Sequence, residues 1–169
     1  MLLQEALGAA IAYEHRIRDH YAHCAEQAVD PKGKRIFEVL AREEQGHVDY
    51  LESRLSEWQA TGQVQVAELK SLVPSGPRLE REAQNLAQRA AKVAHPMPEV
   101  DLLKEALELE RRTSAFYRQL VEALEPPYRI LFQRFLEIEE GHLTLVQAEI
   151  DALVGHGHWF DFMEFRLES

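Results

Sequence analysis

Four stretches of this chain repeat apolar residues at alternating steps of three and four, and a glutamate breaks each stripe near its middle. The first reads Leu3, Leu7, Ala10, Glu14, Ile17, Tyr21, and the second Phe37, Leu40, Glu44, His47, Leu51, Leu55, Trp58. The third reads Leu103, Ala106, Glu110, Thr113, Tyr117, Leu120, Leu124, and the fourth Phe132, Phe135, Glu139, His142, Val146, Leu153. Such steps place residues on one face of an α-helix. The periodicity therefore predicts four helices whose core-facing stripes carry acid side chains.

Breaker residues set the boundaries. Asp30-Pro31 and Gly33 separate helices over about residues 2–28 and 34–60, and Thr61-Gly62 ends the second. Pro126-Pro127 separates helices over about 99–124 and 128–154. Between the pairs, Pro74, Gly76, Pro77, Pro96 and Pro98 break up residues 61–98, a long crossover in which Arg78 to Val93 is expected to form an additional helix. No stretch alternates with period two, so the fold class is all-α. The halves repeat one another: Glu14 lies seven residues before Tyr21 and Glu110 seven before Tyr117, while Glu44-Gln-Gly-His47 answers Glu139-Glu-Gly-His142. Two antiparallel helical hairpins joined by a crossover make a four-helix bundle, with rods about 39 Å long. One domain over residues 1–154 is expected, followed by a tail over 155–169, GHGHWFDFMEFRLES. Its aromatic residues are suited to packing across the bundle end or on a second subunit.

A chain of 169 residues can bury one sizeable core. Its formal charge of −10 argues against nucleic acid or an anionic membrane as the main partner. The single cysteine, Cys24, excludes an internal disulfide and any four-cysteine metal module. The start, MLLQEALGAAIAYEH, lacks a basic segment and runs directly into a helical pattern, unlike a signal peptide. No apolar run approaches the ~20 residues of a membrane span. A cytoplasmic location is expected.

Glu44 and His47 are three residues apart, as are Glu139 and His142, so each pair shares a helix face. Of eight histidines, these two alone have a glutamate three positions earlier. One such pair arises readily by chance. Two at equivalent points of a repeat, each with a core-facing glutamate in the preceding helix, point to a metal site. Four buried carboxylates would repel one another and lose several kcal/mol of hydration each, roughly, unless compensated. Two divalent ions supply +4 against the −4 of Glu14, Glu44, Glu110 and Glu139. Carboxylates with one imidazole per ion and no thiolate suit iron or manganese, and zinc can occupy the same ligands. Glu44 and Glu139 are placed to bridge the ions, with Glu14 and Glu110 terminal.

These six residues, with phrases such as EALGAAIAYE and FYRQL, resemble the ferritin-like superfamily and within it the rubrerythrin-type di-iron proteins. The resemblance covers roughly residues 3–57 and 99–153 and implies a ferritin-like bundle holding two iron ions. It also implies an oxidoreductase that reduces peroxide or dioxygen in oxidative-stress defence. No catalytic residue separate from the metal ligands is implied. Many rubrerythrins carry a four-cysteine rubredoxin module, absent here, so electrons are expected from an external rubredoxin-like donor. The family also tends to place a further ligand glutamate one turn after that of the third helix, and here Thr113 stands there. A homodimer is the expected assembly. Two other functions suit the same residues: ferritin-like iron oxidation and handling, or a non-enzymatic bundle stapled by metal.

Around the site, Tyr21 and Tyr117 are read either as hydrogen-bond donors to ligand carboxylates or as buried aromatics. His20 and His23 are expected to face solvent, His156 and His158 to stand in the tail without a dedicated ligand role, and Cys24 to be buried. Glu43 is expected to be a surface charge, and Glu140 either a support to the site or a bystander.

Overall fold

The computed structural model describes residues 2–89 and 97–163, and among them all regular structure is helical. The elements are α1 (Leu3–Gln27), α2 (Pro31–Thr61), α3 (Gly76–Arg89), α4 (Glu99–Ala123) and α5 (Tyr128–His156). α1 packs on α2, α4 on α5, α1 also on α4, and the shorter α3 lies on α5. Turns of a few residues make the members of each hairpin antiparallel neighbours.

Capping chemistry refines two expected boundaries. α2 begins at Pro31 rather than near residue 34, because Asp30 accepts from the backbone N–H groups of Lys32 (2.7 Å) and Gly33 (3.4 Å). Proline in the first turn has no N–H to leave unsatisfied. α5 runs to His156, two residues past the expected end, and stops where Gly157 takes φ 72°. The expected crossover helix is present as Gly76–Arg89, and its predicted continuation over 90–93 lies outside the described residues.

The core is two apolar halves with a polar layer between them. One half gathers Leu3, Leu7, Ala10, Leu51, Tyr117, Phe132 and Phe135. The other gathers Ile17, Tyr21, Phe37, Leu40, Leu103, Ala106, Val146 and Leu153. On every long helix the residues between the two groups are the interrupting acids: Glu14 after Ala10, Glu44 after Leu40, Glu110 after Ala106, Glu139 after Phe135. A layer so placed is sealed from both ends by hydrocarbon.

The segments outside the long helices also bind to them. In the crossover, Val64, Leu69 and Val73 are buried. Tyr50 donates to the carbonyl of Ala67 (2.7 Å), Arg54 to that of Gln65 (2.7 Å) and Arg134 to that of Leu69 (3.0 Å). The tail folds back at its described part: Trp159, Phe160 and Phe162 join the core beside the start of α2. Asp161 pairs there with Arg35 at 2.9 Å.

Candidate metal centre

All six residues singled out by the stripes meet in the polar layer. Glu14, Glu44, Glu110, Glu139, His47 and His142 are each at most 1 % exposed. Their donor atoms form two overlapping sets of four, each set lying within 4.8 Å: Glu14, Glu44, His47 and Glu139, and Glu44, Glu110, Glu139 and His142. Glu44 and Glu139 belong to both sets, Glu14 and Glu110 to one each. Glu44 and Glu139, the carboxylates expected to bridge, are the two common to both sets.

Buried polar atoms are almost always satisfied, and here many are not. Both oxygens of Glu44, both of Glu139, Glu110 Oε2 and His142 Nδ1 are buried without a hydrogen-bond partner. They are nevertheless crowded: His142 Nδ1 lies 2.7 Å from Glu44 Oε1, and His47 Nδ1 lies 2.8 Å from Glu44 Oε2 and 3.2 Å from Glu139 Oε1. His47 Nδ1 also meets Glu14 Oε2 at 3.3 Å, so carboxylates from α1, α2 and α5 crowd one imidazole nitrogen.

Protonation behaviour expresses the same deficit of positive charge. Burial, then the neighbouring Glu139, push the Glu14 carboxyl up to about 8. The same two causes raise Glu110 well above the carboxylate range. Burial alone would depress both imidazoles, but Glu44 above all holds His47 and His142 in their protonated forms well above ordinary histidine values. Burial likewise would raise Glu44, but the two imidazoles outweigh it and keep this carboxylate ionised. In effect the cluster collects protons at atoms facing its middle. A pair of divalent cations would supply that charge directly, and the donor set of carboxylate oxygen and imidazole nitrogen fits them.

Tyr21 and Tyr117 prove to be donors. Tyr21 on α1 donates to Glu110 on α4, and Tyr117 on α4 donates to Glu14 on α1, so the two bonds cross the bundle in opposite directions. Burial, then the carboxylate each one meets, raise both phenols well above their usual range, which keeps them protonated. Thr113 turns its hydroxyl back onto its own helix, donating to Leu109 O at 2.9 Å.

Glu43 corrects the reading as a surface charge. It is 6 % exposed and accepts from Ser71 Oγ, from the Leu72 N–H (2.9 Å) and from His142 Nε2 (3.1 Å). The crossover covers this side of α2, which no stripe on α2 alone reveals. A trace existed, since Ile36, Val39 and Glu43 step by three and four, and Ile36 and Val39 are buried. Glu43 also corrects the charge balance, because five buried carboxylates rather than four now face the layer.

Glu149 is a further buried acid. It continues the fourth stripe between Val146 and Leu153, is fully buried, and accepts from the Phe160 N–H at 2.9 Å. Of the remaining residues, His20 is half-buried rather than solvent-facing, with Nε2 3.2 Å from Leu102 O, while His23 is exposed. Glu140 is exposed and pairs with Arg118 at 2.8 Å. Cys24 is buried as expected, its thiol pushed up to about 12 by burial and then by Glu105. His156 and His158 belong to none of the metal-compatible groups among the described residues.

No protein-family model matches the chain, and no curated protein or solved structure matches it either. Among the described residues, no helix is long and apolar enough to cross a membrane.

Proposed function

We propose that this protein is a ferritin-like, rubrerythrin-type oxidoreductase that uses two iron ions in the polar layer to reduce peroxide or dioxygen. The observation that carries the reading is the pair of four-residue donor sets sharing Glu44 and Glu139, buried at mid-bundle, with both oxygens of each shared carboxylate, Glu110 Oε2 and His142 Nδ1 unpartnered. Bound there, two ferrous ions supply two electrons to the oxidant, and a separate donor protein restores them.

The chain's own residues have definite tasks in this scheme. Glu44 and Glu139 would be shared by the two ions, Glu14 and His47 would help to hold one, and Glu110 and His142 the other. Tyr21 and Tyr117 each occupy one oxygen of an outlying carboxylate, which limits its rotation and would leave the other oxygen for an ion. Phe135, whose ring lies edge-on to His47 at 5.4 Å, helps to keep bulk water from the layer. A low-dielectric surround strengthens the hold of carboxylates on cations and protects a reduced centre from adventitious solvent.

The test is a stopped-flow measurement. The ferrous-loaded protein is mixed anaerobically with hydrogen peroxide, and separately with oxygenated buffer. Oxidation by either oxidant within seconds, restored by added reductant over repeated cycles, supports the reading, and faster reaction with peroxide supports its rubrerythrin form. A loaded protein inert to both would sink it.

A further inference from the structure

We propose that the two metal positions differ in affinity, and that Glu43, held by the crossover, makes the His142 position the tighter. The inference rests on the dinuclear reading above and adds a residue outside its ligand set.

Glu43 is a carboxylate fixed from three directions. Ser71 Oγ and His142 Nε2 both donate to its Oε1, the latter at 3.1 Å, and the Leu72 N–H donates to Oε2 at 2.9 Å. Among the described residues the hydrogen-bond partner of His142 Nε2 is a carboxylate, so Nε2 carries the proton. That leaves Nδ1 as the nitrogen for coordination, and Nδ1 is the atom turned into the layer without a hydrogen-bond partner. A carboxylate on the outer nitrogen of a ligand imidazole fixes its tautomer and orientation and raises its basicity.

His47 has no counterpart. Residue Ile138 stands before Glu139, where Glu43 stands before Glu44. His47 Nε2 is buried and unpartnered. The rings of His47 and His142 are stacked 5.6 Å apart with planes 7° from parallel. At the outer nitrogens the difference is Glu43, which Ser71 and Leu72 of the crossover hold against His142; at the inner nitrogens, Nδ1 of His47 meets Glu14 Oε2 at 3.3 Å while Nδ1 of His142 has no hydrogen-bond partner. The first ion should therefore bind at Glu44, Glu110, Glu139 and His142, and the second at Glu14, Glu44, Glu139 and His47.

Anaerobic titration of the metal-free full-length protein with cobalt(II) tests this, read by its visible absorption bands and by calorimetry. Wild type should bind two ions in two resolved steps. His142→Ala should remove the tighter step, and His47→Ala the weaker one only. Glu43→Gln should weaken the first step roughly 10–100-fold and merge it with the second. Ser71→Ala, a change at a half-buried crossover side chain, should move the same step in the same direction by a smaller factor, with unchanged circular dichroism. Two indistinguishable sites in wild type would overturn the proposal, as would a first step that neither Glu43→Gln nor Ser71→Ala moves. Wild type that binds no cobalt would instead overturn the dinuclear reading.

Discussion

Among the described residues, Glu44 is the one side chain that both imidazoles approach within 3 Å, and it belongs to both donor sets. Its loss should act twice. In the presence of iron, Glu44→Ala should reduce loading from two ions per chain to at most one, measured by elemental analysis after gel filtration, and an unchanged ratio would remove the basis for a bridged pair. Without metal, the same substitution leaves two buried imidazolium groups short of their main counter-charge. Breaking a buried ion pair costs about 3–5 kcal/mol, and a comparable drop in unfolding free energy is expected from urea denaturation. The stripes identified Glu44 because its burial follows from the phase of its own helix. Glu43, one residue earlier, is not marked as buried by that phase, because its cover is Ser71 and Leu72, which arrive from the crossover.

The joint between α2 and the tail shows how elements constrain each other. Gly33 lies in the first turn of α2, and a Cβ there would sit 2.4 Å from Trp159 Cζ2 and 2.7 Å from Cε2. Trp159 has little freedom to retreat, being 5 % exposed and edge-on to Phe37 at 5.6 Å. Alanine is the better helix former by about 1 kcal/mol, while overpacking costs about 1–3 kcal/mol. Gly33→Ala should therefore lower the melting temperature of the full chain. Combined with Trp159→Ala, the same change should raise it relative to Trp159→Ala alone. The sign reversal, followed by calorimetry, is what a direct contact demands, and the same sign in both backgrounds would refute it. The chain order predicted helices on both sides of Asp30-Pro31, and the tail's aromatic content marked it for burial. Only the folded contacts chose the end of the bundle on which it docks.

For the whole molecule, the polar layer makes stability depend on pH in a way that metal should reverse. Glu14 is raised from its ordinary 4.5 to about 8, so the folded state keeps a proton that the unfolded chain has released. That contribution is complete below about pH 4.5 and is lost as the pH rises to about 8. His47 and His142, raised above the ordinary 6.5, act in the same direction from that pH upward. Glu44, held below 4.5, acts oppositely and only in acid. The metal-free protein should thus melt at progressively lower temperature between about pH 5 and about pH 8. Metal binding displaces those protons and strengthens as they leave, so the gap between loaded and metal-free melting temperatures should widen over the same range. A metal-free melting temperature that stays flat from pH 5 to pH 8 would show that the layer carries no such protons. By itself, the sequence determined the four long helices, the faces they bury and the six polar residues on those faces, because helical phase is a local property with a fixed period. The tertiary structure decided which tyrosine meets which glutamate, that the crossover covers Glu43, and that the tail's Phe160 meets Glu149. Those outcomes depend on contacts between segments far apart in the chain, where no local period operates.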